Sequence, residues 1–314
     1  MPDAGRLASE FDLIRRHFSR PAPGAALGVG DDAALLRPQA GMELAVSTDL
    51  LLEGRHFLPG ADPRRLGHKA LAVNLSDMAA MGAAPRWATL GLALPHADDA
   101  WLAAFADGFY ALAARHGVDL VGGDTTRGPL AISVTILGEV PAGLALLRGG
   151  AVPGDDIWVS GALGGAALAL ARPDLEDIAD RLHAPEPRVE LGERLRGLAS
   201  AAIDVSDGFA QDLGHILERS GVGAVVEFDA LPAPEAVKRE APEVRIRCTL
   251  AGGDDYELVF TAPQAHRADI ERLSAELGLP LSRVGSVQPG ERLLVLDGGR
   301  QPMAVPRGFD HFPT

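Results

Sequence analysis

The chain has 314 residues, of which 47% are hydrophobic, and its 29 basic against 43 acidic side chains give a net charge of −14. Such a length is comfortable for two domains, since single cores stop growing near roughly 250–300 residues, and the hydrophobic share excludes disorder and low complexity. The acidic balance excludes a nucleic-acid binder working through a basic face, but it leaves room for a phosphate ligand screened by divalent cations. A single cysteine, Cys248, excludes an internal disulfide and a cysteine-built zinc site, and it fits a reducing compartment. Met1–Glu10 lacks an apolar run of signal-peptide length, and no stretch reaches the ~18–20 apolar residues of a membrane helix. The expectation is a soluble, cytoplasmic protein.

In chain order, apolar periodicity predicts a helix over 7–20, then a glycine-flanked acidic loop, Gly28-Val29-Gly30-Asp31-Asp32. A strand at 43–48, a helix at 63–82, a strand at 87–94, a helix at 97–116 and strands at 119–121 and 131–140 follow. The turn-rich segment Arg148–Asp155 reads as a boundary, dividing the chain into domains at 1–147 and 148–314. Beyond it the pattern predicts a strand at 156–160, a short helix, a helix at 188–198 and a strand at 201–205. A helix over 207–220 comes next, with Ser206 and Asp207 as N-cap types. A strand at 257–261, a helix at 265–277 and short strands after it close the series. Mixed elements in both halves point to an α+β or α/β class.

Five places set Asp beside Gly, Ser or Thr at the end of an apolar strand: Gly30-Asp31-Asp32, Ser47-Thr48-Asp49, Gly122-Gly123-Asp124-Thr125-Thr126, Asp204-Val205-Ser206-Asp207-Gly208 and Gly252-Gly253-Asp254-Asp255. Strand ends converge on a sheet edge, so loops distant in sequence can meet there. Asp77 lies on a helix, in line with Ala70, Val73 and Met81, which predicts a carboxylate on an apolar stripe. A buried carboxylate is costly unless it is paired or bound to metal. Hard oxygen donors suit Mg²⁺ or Ca²⁺ rather than zinc, and the nine histidines contain no pair at zinc-protease spacing. Like charges ~4 Å apart repel by several kcal/mol at intermediate dielectric, so acids gathered around phosphates require cations between them. The chain has no Gly-x-x-x-x-Gly-Lys-Ser/Thr loop and no protein-kinase signature, and Gly28-Val29-Gly30 lacks the third glycine of a dinucleotide fingerprint.

Taken together these runs resemble the thiamine-monophosphate kinase family. The similarity is carried by Gly28–Ala34, Ser47-Thr48-Asp49, the helical run Lys69–Ala83, Gly122–Gly128, Asp204–Gly208 and Gly308-Phe309-Asp310-His311-Phe312, in the family's order from about Glu10 to Phe312. The resemblance implies an α+β, two-domain fold of the aminoimidazole ribonucleotide synthetase-like superfamily, with the N-terminal sheet at a homodimer interface. It implies Mg²⁺-dependent transfer of the ATP γ-phosphoryl group to thiamine phosphate, giving thiamine diphosphate and ADP, with several Mg²⁺ ions and ATP as co-substrate. By motif, Asp32, Ser47, Thr48, Asp49, Asp77, Asp124, Asp204 and Asp207 would ligate metal. Gly123, Asp124, Arg148 and Ser206 would contact ATP, and His56, Asp254 and Phe309 the substrate. Where the family commonly has Gly-Gly-Glu-Asp-Tyr-Glu-Leu, this chain reads Gly-Gly-Asp254-Asp-Tyr-Glu-Leu, one methylene shorter.

The acceptor is a phosphate monoester, a dianion near neutral pH, so the expected transfer is direct, without phosphoenzyme or general base. Two rivals in the superfamily, selenophosphate synthetase and a hydrogenase-maturation protein, use thiols near the N-terminal glycine loop or at the C-terminus, and Cys248 sits at neither. An aminoimidazole ribonucleotide synthetase is opposed by motif wording. A non-catalytic nucleotide- or metal-binding protein is opposed by the retention of every expected acid.

Overall fold

The computed structural model describes residues 10–309 and 311. Asp310 and Phe312 of the C-terminal motif lie outside the described residues. The chain divides into two units, one built from residues up to Leu75 together with Pro85–Val140, the other from Ser76–Ala84 and the chain from Pro141 onward.

In the first unit, α1 (Glu10–Leu13) runs into a π-helical turn, Ile14–Phe18. Then come β1 (Met42–Leu52), α2 (Pro63–Ala80), β2 (Ala84–Leu94), α3 (Asp99–His116), β3 (Asp119–Arg127) and β4 (Ala131–Pro141). The sheet order is β1-β4-β2-β3, with β2 and β3 parallel across the α3 connection. α3 starts where the Asp98 carboxylate accepts from the amides of Ala100 and Trp101, both at 3.0 Å, and ends at Gly117 in the left-handed region. Leu102, Phe105, Phe109 and Leu112, spaced by three and four, form its buried side, while Ile132, Val134 and Ile136 alternate inward on β4. β1 is an edge strand whose even-numbered side chains, Leu44, Val46, Leu50 and Leu52, are exposed.

The expected stripe on α2 is corrected by the structure. Leu71, Ala72, Leu75, Met78 and Ala79 are as buried as Ala70 and Val73, and Asp77 is only partly buried. A helix covered all round has no single apolar face, so spacing alone misassigns its sides.

The second unit contains β5 (Asp156–Ser160), α4 (Gly165–Ala171), α5 (Ala179–His183), α6 (Val189–Leu195), β6 (Ala201–Asp204), α7 (Phe209–Ser220) and β7 (Gly223–Glu227). It continues with α8 (Glu235–Lys238), α9 (Pro242–Ala251), β8 (Leu258–Ala262), α10 (Arg267–Leu277), β9 (Leu281–Gln288) and β10 (Leu293–Leu296). Its sheet runs β10-β7-β9-β5-β8-β6, antiparallel except for the β10–β7 pair. Phe209, Leu213, Ile216 and Leu217 of α7 enter the core formed with Ile157, Ile203 and Val259, and burying each such side chain is worth roughly 1.5–3 kcal/mol. β7 and α9 have no counterpart in the sequence reading. In α9 the run Pro-Glu-Val-Arg-Ile-Arg interleaves charge with apolar residues, and only Cys248, Thr249 and Leu250 are buried.

Candidate functional site

The acidic loops occupy both units, and each unit gathers its own set. In the first, a cavity of ≈ 810 Å³ is lined by Asp31 and Asp32 of the acidic loop, Gly122–Thr125 of β3, Thr89 and Leu90 of β2, and Arg15 of the π-helical turn. The expected ligands Asp32 and Asp124 thus share one cavity wall with Gly123. Gly123 has φ +150°, and a Cβ there would lie 1.9 Å from the Leu90 carbonyl oxygen, so the close β2–β3 approach that shapes this wall requires glycine. Arg15 and Thr89 were not anticipated; Arg15 lies on the predicted N-terminal helix but carries no motif signal.

Strand alternation splits the Ser47-Thr48-Asp49 run. Ser47 and Asp49 point to the half-buried side of β1, and Thr48 lies on the exposed side with its hydroxyl 2.8 Å from that of Thr135 on β4. The Asp49 amide donates to the Asn74 side-chain oxygen at 3.3 Å, and the Asn74 amide group donates to the Ala70 carbonyl, so a fully buried α2 residue braces this strand. His56 closes the turn after β1, its Nδ1 accepting from the Leu52 amide at 2.9 Å, which places the ring proton on Nε2.

In the second unit, the turn after β6 is the hub. Asp204, at the end of β6, is buried and accepts from the Ser76 hydroxyl of α2 at 2.7 Å. That contact brings the segment carrying Asp77 to the strand carrying Asp204. The glycine loop ahead of β8 is fastened to the same turn, because the amides of Asp254 and Tyr256 donate to the Ser206 and Val205 carbonyls, each at 2.9 Å. The Phe309 amide donates to the Asp207 carbonyl at 3.0 Å, and the Gln211 side chain donates to the Phe309 carbonyl at 2.9 Å. Ser206, Asp207, Asp254 and Phe309 are therefore neighbours, although more than a hundred positions separate Asp207 from Phe309. Phe309 is 46% exposed, with the His311 ring edge-on at 4.8 Å. Arg148 is exposed ahead of β5, and its carbonyl accepts from Ser220.

Backbone strain marks the glycine loop. Asp254 and Tyr256 have φ +65° and +50°, conformations that non-glycine residues rarely adopt, and the Tyr256 hydroxyl donates to the Asp254 carboxylate at 2.8 Å. Between them Asp255 accepts from the amides of Gly164 and Ala166 at the start of α4, and burial pushes its pKa up to about 8. Glu257 is buried against the Arg188 guanidinium in a two-point pair at 2.6 and 2.7 Å. α7 begins at Phe209, two residues later than expected, without side-chain capping from Ser206 or Asp207. The carboxylate of Asp212 takes up the turn's amides instead, and burial raises its pKa to about 7.

Residues 30–140 match the family model described as AIR synthase related protein, N-terminal domain, and residues 152–297 match its C-terminal domain. The chain is 45% identical to a thiamine-monophosphate kinase of Salmonella typhimurium, over 97% of this chain and 98% of that protein. The chain belongs to the thiamine-monophosphate kinase family. Among solved structures, a thiamine-monophosphate kinase from Stenotrophomonas maltophilia K279a is 47% identical with a TM-score of 0.84, covering 93% of this chain and 96% of that one. A second, described as AaThiL complexed with AMPPCP and TMP, is 29% identical with a TM-score of 0.76, covering 96% of each chain.

Members of the thiamine-monophosphate kinase family are phosphotransferases that act on thiamine phosphate. The donor chemistry of this chain fits Mg²⁺. Asp31, Asp32 and Asp124 bring hard carboxylate oxygens to one roomy cavity wall, and among the described residues no three His, Cys, Asp or Glu side chains form a ready cage. Mg²⁺ characteristically takes one or two carboxylates and completes its shell with water and substrate phosphate.

Proposed function

We propose that this protein transfers the γ-phosphoryl group of ATP to thiamine phosphate, giving thiamine diphosphate and ADP, with several Mg²⁺ ions. The observation that carries this reading is 45% identity to a thiamine-monophosphate kinase across essentially the whole chain, which spans every acidic loop. The structure holding both AMPPCP and TMP supports ATP and thiamine phosphate as the two substrates.

An oxygen of the acceptor phosphate attacks the γ-phosphorus, the bond to the β-phosphate oxygen breaks, and ADP leaves. With a phosphate second pKa near 6, the acceptor is already mostly a dianion at neutral pH and no side chain needs to remove a proton. Bound Mg²⁺ would neutralise charge on both substrates, held by Asp32, Ser47, Thr48, Asp49, Asp77, Asp124, Asp204 and Asp207. Thr48 would contribute to the Asp49 side through its main chain, since its hydroxyl is on the opposite side of β1. Gly123, Asp124, Arg148 and Ser206 are assigned to ATP, and His56, Asp254 and Phe309 to the substrate. The face of Phe309 suits a flat cationic ring, and the Tyr256 hydroxyl holds the shorter Asp254 carboxylate in one orientation.

We place the functional boundary at 147/148, which the matched segments 30–140 and 152–297 bracket. We also propose a cytoplasmic homodimer. The exposed Leu44, Val46, Leu50 and Leu52 on edge strand β1 support pairing of the first unit with a second copy, and sedimentation at twice the 32.8 kDa chain mass tests it. Among the described residues no helix is long and apolar enough to cross a membrane.

The test of the activity is chromatographic. With ATP, Mg²⁺ and thiamine phosphate, the protein should form thiamine diphosphate and ADP in equal amounts, and excess chelator should stop the reaction. Nucleotide binding without product would replace the kinase with a binding protein.

A further inference from the structure

The turn between β6 and α7 is built in an unusual way. Three successive amides, those of Ser206, Asp207 and Gly208, donate to a single oxygen, Oδ2 of Asp212, at 3.0, 3.1 and 3.1 Å. Ordinary capping satisfies one or two helix-start amides from a flanking side chain. Here a carboxylate one turn inside the helix, 2% exposed, takes all three. Gly208 completes the fold at φ +121°, where a Cβ would lie 2.8 Å from the Ala251 carbonyl carbon. From the other side, the Ser206 carbonyl accepts from Asp254 and the Asp207 carbonyl from Phe309. Donors and acceptors of the turn are thus both committed to the protein.

This arrangement has a chemical consequence. Free amides at a helix N-terminus ordinarily form an anion site. In this turn the three amides just ahead of α7 are bound to Asp212, so these three are unavailable to phosphate. A ligand would therefore meet this turn through side chains, those of Ser206 and Asp207, carried on a backbone that Asp212 fixes.

We propose that Asp212 is a positioning residue, which holds the Ser206-Asp207-Gly208 turn so that Ser206 meets the nucleotide and Asp207 its metal. The assignment rests on the kinase reading given above.

The experiment uses the full chain and its Asp212→Ala and Asp212→Asn variants. Calorimetry measures AMPPCP binding with Mg²⁺, thermal unfolding is followed without ligand, and KM is determined separately for ATP and thiamine phosphate. Alanine should weaken AMPPCP binding about 10- to 100-fold, in the range seen when residues that orient ligand groups are removed. KM for ATP should rise in step while KM for thiamine phosphate stays near its original value. Asparagine keeps an acceptor oxygen at the same reach and should recover most of the affinity. Should the alanine chain not fold, Asp212→Ser, whose hydroxyl is too short to span all three amides, takes its place with the same expectation. Unchanged AMPPCP affinity in the alanine variant, or equal losses for alanine and asparagine, would overturn the positioning role. If the unsubstituted protein itself fails to bind AMPPCP, the kinase reading falls first.

Discussion

At the residue scale, the side chains that carry charge and those that hold them in place differ in how far the sequence reveals them. Asp124 and Asp207 stand out because they adjoin glycine or a hydroxyl residue, and Asp32 and Asp204 because they lie two positions from one in the same runs. Ser76 is different: it lies one position before Asp77 in a helix, and only the structure shows its hydroxyl on Asp204, 128 positions away. Both groups are buried, so removing the donor takes one hydrogen bond from a buried carboxylate, and hydrogen bonds to charged groups contribute about 1.5–3 kcal/mol. Ser76→Ala should therefore lower kcat/KM by about tenfold or more, since 1.4 kcal/mol corresponds to a factor of ten, and should lower Tm. Kinetics and thermal unfolding that both match the original protein would show that Asp204 is held without Ser76.

At the element scale, local chemistry placed most strands and helices, and the misses have physical causes. The strands at Asp156–Ser160 and Ala201–Asp204 and the α3 helix follow from apolar runs and caps. α7 starts late because Asp212, inside the helix, replaces the expected cap, a substitution that no N-cap rule anticipates. The strained Asp254-Asp255-Tyr256 loop was legible as a glycine-marked turn, but its buried Asp255 at the start of α4 was not. With a pKa near 8 in the folded state against 3.8 as an ordinary value, Asp255 keeps its proton where the unfolded chain has lost it. Stability should therefore fall as pH rises from about 4 to about 8, and Asp212 acts in the same direction up to about 7. Asp255→Asn, neutral throughout, should flatten this slope in denaturant unfolding, matching the original protein near pH 4 and exceeding it near pH 8. Parallel pH profiles would mean that Asp255 does not titrate in that window.

At the scale of the whole molecule, the net charge of −14 separates into scattered surface acids and two local gatherings. One lines the ≈ 810 Å³ cavity of the first unit, and the other surrounds the turn after β6 in the second. The expected boundary at 147/148 lies beyond Val140, where the first unit ends, but that the chain forms two units was legible in its turn-rich middle. The transfer of Ser76–Ala84 to the second unit was not, since a continuous helix carries no mark of which core covers it. An acidic chain that handles nucleotide does so by charge neutralisation and positioning, and this makes the route of the phosphoryl group the central question. The most direct test uses ATP made chiral at the γ-phosphorus with oxygen isotopes and sulfur, followed by configurational analysis of the thiamine diphosphate product. Direct attack by the acceptor phosphate predicts inversion at phosphorus. Net retention would require two successive displacements through a phosphorylated protein group and would contradict the account.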